Sequence, residues 1–144
     1  MTDTAAVGAF IERYRTTFAS FDVDAIGACF AFPLQVTGEA GTVAVVSVPA
    51  VEAWRPQLER ITGAYRALGV VGAEVADLAA VEVTQGIAHA VVHWSLRRAD
   101  GSEVYAFTAS YTLADLPEGT RIVAIAHDES PRLMAAVAGL AGRS

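Results

Sequence analysis

The chain has almost no sulfur chemistry to offer. One of its 144 residues is cysteine, and a lone Cys29 excludes an intramolecular disulfide and every cysteine-based metal spacing. It reads as a small buried hydrophobe, or else as a reactive thiol without a visible partner. Basic charge is also scarce. Ten basic residues stand against sixteen acidic ones, for a formal net charge of -6, and Arg97-Arg98 is the only basic doublet, so the electrostatic footprint of a nucleic-acid binder is missing. No apolar run approaches the ~20 residues that span a bilayer, and MTDTAAVGAFIERYR mixes charges into its apolar pattern, unlike a signal peptide. There is no GxSxG, phosphate loop, HExxH or dinucleotide fingerprint. The expectation is a cytoplasmic protein with no cofactor and neither nucleic acid nor membrane as partner.

What is present is apolar. Hydrophobic residues make up 53% and charged ones 18%, enough for one domain over residues 1–144 with a sizeable core. That is more apolar surface than a solitary domain of this size needs, and self-association accounts for it.

The stretch Gly86 to Glu129 organises the rest, as a meander of three long antiparallel strands. Asp100-Gly101 marks the first turn and Leu116-Pro117-Glu118-Gly119 the second loop. Counting back from these turns pairs Trp94 with Phe107, Ala90 with Tyr111 and Leu113 with Ile122. One face then collects Trp94, Leu96, Tyr105, Phe107, Tyr111 and Leu113, and the other His89, His93, Ser95, Thr108, Ser110 and Thr112. Two rows across the sheet follow, Trp94–Phe107–Asp128 on the aromatic face and His93–Thr108–His127 on the other. A one-residue slip would undo both. Ahead of the meander, Glu74 to Thr84 reads as a further strand. If Gln85-Gly86 is a tight turn, Asp77 opposes Trp94.

Earlier in the chain, Thr2 or Thr4 can cap a helix with the stripe Val7, Phe10, Ile11, Tyr14 and Phe18. Asp22 caps a short helix from Val23 to Phe30. Phe32–Val36 and Thr42–Val46 form an edge hairpin. Pro49 to Leu68 is the long helix, striped by Val51, Trp54, Leu58, Ile61, Tyr65 and Leu68 and stopped by Gly69. Pro56 should kink it or delay its start. Ser130-Pro131 opens a short C-terminal helix.

In this order of elements, carried by FIERYRTTFASFDVDAIGACF, VHWSLRRADGSEVYAFTASYTL and GTRIVAIAHDESPRL, the chain resembles the nuclear transport factor 2-like superfamily. That superfamily includes ketosteroid isomerases and SnoaL-type polyketide cyclases, and the resemblance covers nearly the whole chain. It implies an α+β fold in which a cone-shaped, curved antiparallel sheet wraps a long helix, with an N-terminal helix pair, a short C-terminal helix and a pocket at the open end. It also implies a homodimer through the outer sheet face, and an acidic or histidine base inside the cone.

A carboxylate in an apolar pocket has its pKa raised by desolvation, which suits it to acid/base work near neutral pH. Asp128, placed beside Phe107 and Trp94, is the first candidate. The competing reading has it at the strand's exit, capping the next helix. Asp77 is the second candidate, unless it is an edge residue at a bulge, and Tyr14 could donate a hydrogen bond to a developing oxyanion. The expected pocket walls are Phe18, Phe30, Trp54, Leu58, Trp94, Tyr105, Phe107 and Tyr111. His89 and His93 lie about 13 Å apart along a strand, too far to share a metal. The functional expectation is a pocket for a small, largely apolar ligand, with isomerase, cyclase or dehydratase-type chemistry as its extension. A non-catalytic dimerising module is the alternative.

Overall fold

In the computed structural model of the protein, residues 3–141 are described. Their elements run α1 (Thr4–Ala19), α2 (Val23–Gly27), β1 (Phe30–Glu39), β2 (Val43–Val48), α3 (Val51–Leu68), β3 (Val70–Thr84), β4 (Ile87–Arg98), β5 (Glu103–Leu116), β6 (Gly119–His127) and α4 (Glu129–Ala141). The architecture is the α+β one expected. Six strands form one sheet in the order β2-β1-β6-β5-β4-β3. It is mixed rather than wholly antiparallel, because β1 enters beside β6 and runs parallel to it, the rest of the chain serving as the long crossover that a parallel pair requires. No helix among the described residues is long and apolar enough to cross a membrane.

Local chemistry accounts for the element ends. Thr2 lies outside the described residues and Thr4 is the first helical one. The cap of α1 is Asp3, whose Oδ1 accepts from the N–H of Ala6 at 2.8 Å. Asp22 caps α2 by accepting from Asp24 and Ala25, and that helix stops at Gly27, three residues short of the expected end, because Phe30 is already in β1. The helix α3 begins at Val51 and runs through Pro56. Gly69 closes it with φ at 78°, a left-handed geometry that costs glycine little.

The core forms where the stripe of α1 meets the inner face of the sheet. Val7, Phe10, Ile11, Ile26, Leu34, Leu113 and Ile122 are buried in one cluster with Trp94 and Tyr111. Leu34, Leu113 and Ile122 are fully enclosed, and truncating any one to alanine should cost roughly 2–5 kcal/mol.

Pairing within the meander keeps the expected register along most of β4 and β5 and next to the second loop, while beside Asp100-Gly101 it is one residue off, with Arg97 opposite Glu103. Trp94 opposes Phe107 and Ala90 opposes Tyr111, while Leu113 opposes Ile122 and Asp115 opposes Thr120. The register then slips. Leu113 pairs with Ile122 but Thr112 pairs with Ala124, so Val123 is an unpaired extra residue and every later β6 side chain changes face. The same happens in β3, where Thr84 pairs with Ile87 but Glu82 with Ala88, leaving Val83 extra.

Candidate functional site

The inner face of the sheet, α1, α3 and α4 enclose a cavity of about 920 Å³. Its wall includes Phe18, Phe30, Trp54 and Leu58, together with Trp94, Phe107 and Tyr111 from the sheet. The ring of Tyr105 is not in the wall, but its hydroxyl reaches a group that is. The first turns of α4 add Leu133, Met134 and Val137 to the lining.

The two slips decide which acids reach this cavity. The row Trp94–Phe107–Asp128 does not form, because the Val123 bulge sends Asp128 to the outer face. There its Oδ1 accepts from the backbone N–H of Thr108 at 2.8 Å and its Oδ2 lies 3.3 Å from Arg132. Partial burial pushes its carboxyl up, but the Thr108 N–H and the Arg132 guanidinium outweigh this and hold it below the ordinary carboxylate range. Asp77 opposes His93 rather than Trp94 and is exposed, since the Val83 bulge turned it outward. The second row changes with the first. His93 keeps Thr108, whose hydroxyl lies 2.8 Å from its Nδ1, but His127 leaves that face and lines the cavity.

The acid inside is Glu129, the first residue of α4. It is 7% exposed. Its Oε2 accepts two phenol hydroxyls, that of Tyr65 from α3 and that of Tyr105 from β5, the latter at 2.7 Å. Burial raises its carboxyl from 4.5 to about 7, against the lowering effect of the two hydroxyls and with a further push from the charge of Asp128. Both acceptor bonds fall on Oε2, so Oε1 is the oxygen left to carry the acid proton and to meet whatever occupies the cavity.

A second polar group lies in the aromatic wall. The hydroxyl oxygen of Tyr111 accepts from the indole N–H of Trp94 at 2.9 Å. Tyr14, its ring 5.6 Å from that of Tyr111, is buried and its hydroxyl is pushed well above the usual phenol range, chiefly by that burial. The two phenols are coupled, the neighbouring hydroxyl raising Tyr14 and lowering Tyr111.

His127 completes the polar set. Its Nδ1 accepts from the backbone N–H of Glu129 at 3.2 Å. Among the described residues no group of three or more His, Cys, Asp or Glu is placed to hold a metal ion.

Glu129 is the candidate acid that reading the chain by itself does not single out, and Tyr65 is read there only as part of the α3 stripe. His127-Asp128-Glu129 is a run of three titratable residues at a strand end. Any register turns inward either Asp128 alone or both of its neighbours.

A family model described as NTF2-like protein (DUF6841) matches residues 3–130. No curated protein matches the sequence. Similar solved structures include an NTF2-like protein with a cystatin-like fold from Novosphingobium aromaticivorans, at 18% identity over 95% of this chain and 98% of that one with a TM-score of 0.63. An NTF2-like protein of unknown function from Pseudomonas putida matches at 16% identity over 89% of each chain, with a TM-score of 0.66. A candidate dehydratase of the NTF2-like family from Streptomyces avermitilis matches at 12% identity over 85% and 91%, with a TM-score of 0.63. At these identities the likeness is one of fold.

Proposed function

This chain belongs to the NTF2-like family DUF6841, and from that premise we propose that its cavity binds a small, largely apolar molecule on which Glu129 moves a proton. The observation that carries the reading is a carboxyl raised to about 7 in a largely apolar cavity, with one oxygen anchored by Tyr65 and Tyr105 and the other unbonded. An acid that is half protonated near neutral pH is equally able to give and to take a proton. Of the three groups named from sequence, Tyr14 stays in this scheme as a positioning residue acting through Tyr111. Asp128 and Asp77, both turned to the outer face, have no part in it. The match to a candidate dehydratase fits proton-transfer chemistry of the isomerase, cyclase or dehydratase kind, with the fold alone as the link.

Two experiments test this. A thermal-shift screen of aromatic and isoprenoid-like compounds should find ligands that stabilise the protein. Dissolving the protein with a bound ketone in D2O should give exchange of the ligand's α-hydrogens that is lost in Glu129→Gln. A screen without hits removes the binding half, and exchange that survives the substitution removes Glu129 from the chemistry.

The alternative, a dimerising module, has its own observation and is compatible with the first reading. The outer face of the sheet carries the rows Val45–Thr37–Ala126–Ser110–Val91–Ala79 and Ser47–Gln35–Ala124–Thr112–His89–Val81. Neither row holds an Asp, Glu, Lys or Arg. Val45, Val81 and Val91 are exposed on it. We propose that a second copy of the chain covers these two rows, because a strip without fixed charge meets its own image across a twofold axis without repulsion. We also place the protein in the cytoplasm, a compartment that suits the free thiol of Cys29.

A further inference from the structure

The inward turn of His127 has a chemical consequence that Glu129 alone does not supply. Because Nδ1 accepts the Glu129 N–H, the proton of the neutral ring sits on Nε2, and the tautomer is fixed by the backbone. Burial pushes the imidazolium down against the weaker upward pull of the Asp128 charge, so the ring is neutral at pH 7. No protein acceptor among the described residues bonds Nε2. The neighbours across the sheet are the two smallest available, Gly38 on β1 and Ala109 on β5, which leaves the ring unshielded on both flanks. The cavity wall therefore presents a single-direction N–H donor two residues from the Glu129 carboxyl on the same side of the chain.

We infer that His127 selects the ligand, its Nε2–H donating to a neutral acceptor oxygen, a carbonyl foremost, on an otherwise hydrocarbon molecule. The inference rests on the cavity being a binding site and adds the class of molecule it takes. An anionic ligand is disfavoured there. The Glu129 carboxyl stands on the same wall, and of the two guanidinium groups that line the cavity one is paired and the other is water-exposed, so that solvent screens it. Arg15 is paired with Glu12, and Arg60 is exposed on α3. A pure hydrocarbon would leave Nε2–H without a partner, which costs binding free energy in a dry site.

The test compares three probes of one skeleton, tetralone, tetralin and the tetralin carboxylate, by ligand-observed NMR at pH 7. Tetralone should bind about tenfold tighter than tetralin, the worth of one well-placed hydrogen bond, and the carboxylate should bind weakest. Asparagine and glutamine separate the two ring nitrogens. His127→Asn keeps an acceptor near the Nδ1 position and deletes the Nε2 donor, so the preference for the ketone should vanish. His127→Gln carries an N–H where Nε2 was and should retain it. Gly38→Ala is a second route that leaves the histidine in place. A Cβ there stands 3.7 Å from Nε2, an ordinary contact that the fold accommodates but that covers the donor, so the preference should shrink. Equal binding of ketone and hydrocarbon by the wild type, or a ketone preference that survives His127→Asn, overturns the inference and leaves the cavity reading standing. Failure of all three probes to bind brings down both.

Discussion

The hydroxyl of Tyr105 on β5 lies 2.7 Å from Oε2 of Glu129 at the start of α4, and the same oxygen accepts from Tyr65 on α3. Three elements are thus tied at one carboxyl oxygen. Among the described residues no cation pairs with Glu129, so the tie depends on the protonation state of a single group.

That dependence gives the first prediction. The Glu129 carboxyl titrates at 4.5 in the unfolded chain and at about 7 in the folded one. The folded protein therefore holds the proton more tightly, so its contribution to stability is complete below pH 4.5 and is lost as pH rises to about 7. The swing is on the order of 3 kcal/mol. His127, pushed below its ordinary 6.5, works the other way, with stability present above 6.5 and lost as pH falls. Urea unfolding between pH 4.5 and 8 should show the Glu129 decline in the wild type. In Glu129→Gln only the shallower His127 slope should remain, and an unchanged profile in that variant would count against the buried acid.

The second prediction concerns the two phenols. Each hydroxyl favours the ionised carboxylate, Tyr65 more than Tyr105. Removing either should raise the Glu129 pKa further, and Tyr65→Phe should raise it more than Tyr105→Phe. Each loss should also cost about 1 kcal/mol of stability for the missing bond. A carbon-detected NMR titration of the Glu129 side-chain carboxyl reads the pKa shift directly. Substitutions that leave the midpoint in place would mean that the phenols do not act on this group.

The third prediction separates adjacent acids. Asp128→Asn should leave ligand binding in the cavity unchanged, and it should lower stability by only about 0.5 kcal/mol because the Arg132 pair is half exposed. Glu129→Gln should change the pH dependence of ligand affinity. Isothermal titration of both variants with any hit from the screen decides it, and a loss of affinity in Asp128→Asn would put the wrong acid in the cavity.

The contrast between these neighbours also marks what the sequence made legible. Asp-Gly and Pro-Glu-Gly turns are chemically specific, so Trp94 with Phe107 and Leu113 with Ile122 follow by counting, although an irregularity beside Asp100-Gly101 puts Arg97 opposite Glu103. The stripes of α1 and α3 are equally readable, because helical spacing fixes which side chains share a face. A bulge leaves no such mark. Val123 and Val83 sit in runs of β-type residues, where an extra valine is indistinguishable from a paired one. Each shifts everything beyond it by one position. The helix pair, the sheet and the aromatic wall were therefore within reach, while the identity of the acid, set by the parity of β6 and by where α4 begins, was not.

The fourth prediction bears on the outer face. Val91 lies in the middle of the row Val45–Thr37–Ala126–Ser110–Val91–Ala79, 38% exposed and flanked by Ser110 and Ala79. If a second copy covers this row, Val91→Arg places two guanidinium groups in one interface, related by its twofold axis and with no carboxylate in either row to neutralise them. Burying unpaired charge costs several kcal/mol, enough to weaken the dimer more than a hundredfold. On an uncovered face the same arginine would extend into water at almost no cost, because the Val91 side chain does not contribute to the inner core. Sedimentation velocity should therefore report a dimer for the wild type and a monomer for Val91→Arg, with the thermal unfolding of the monomer still cooperative. A wild type that sediments as a monomer at the same concentration would show that the face is open and that its valines have another purpose.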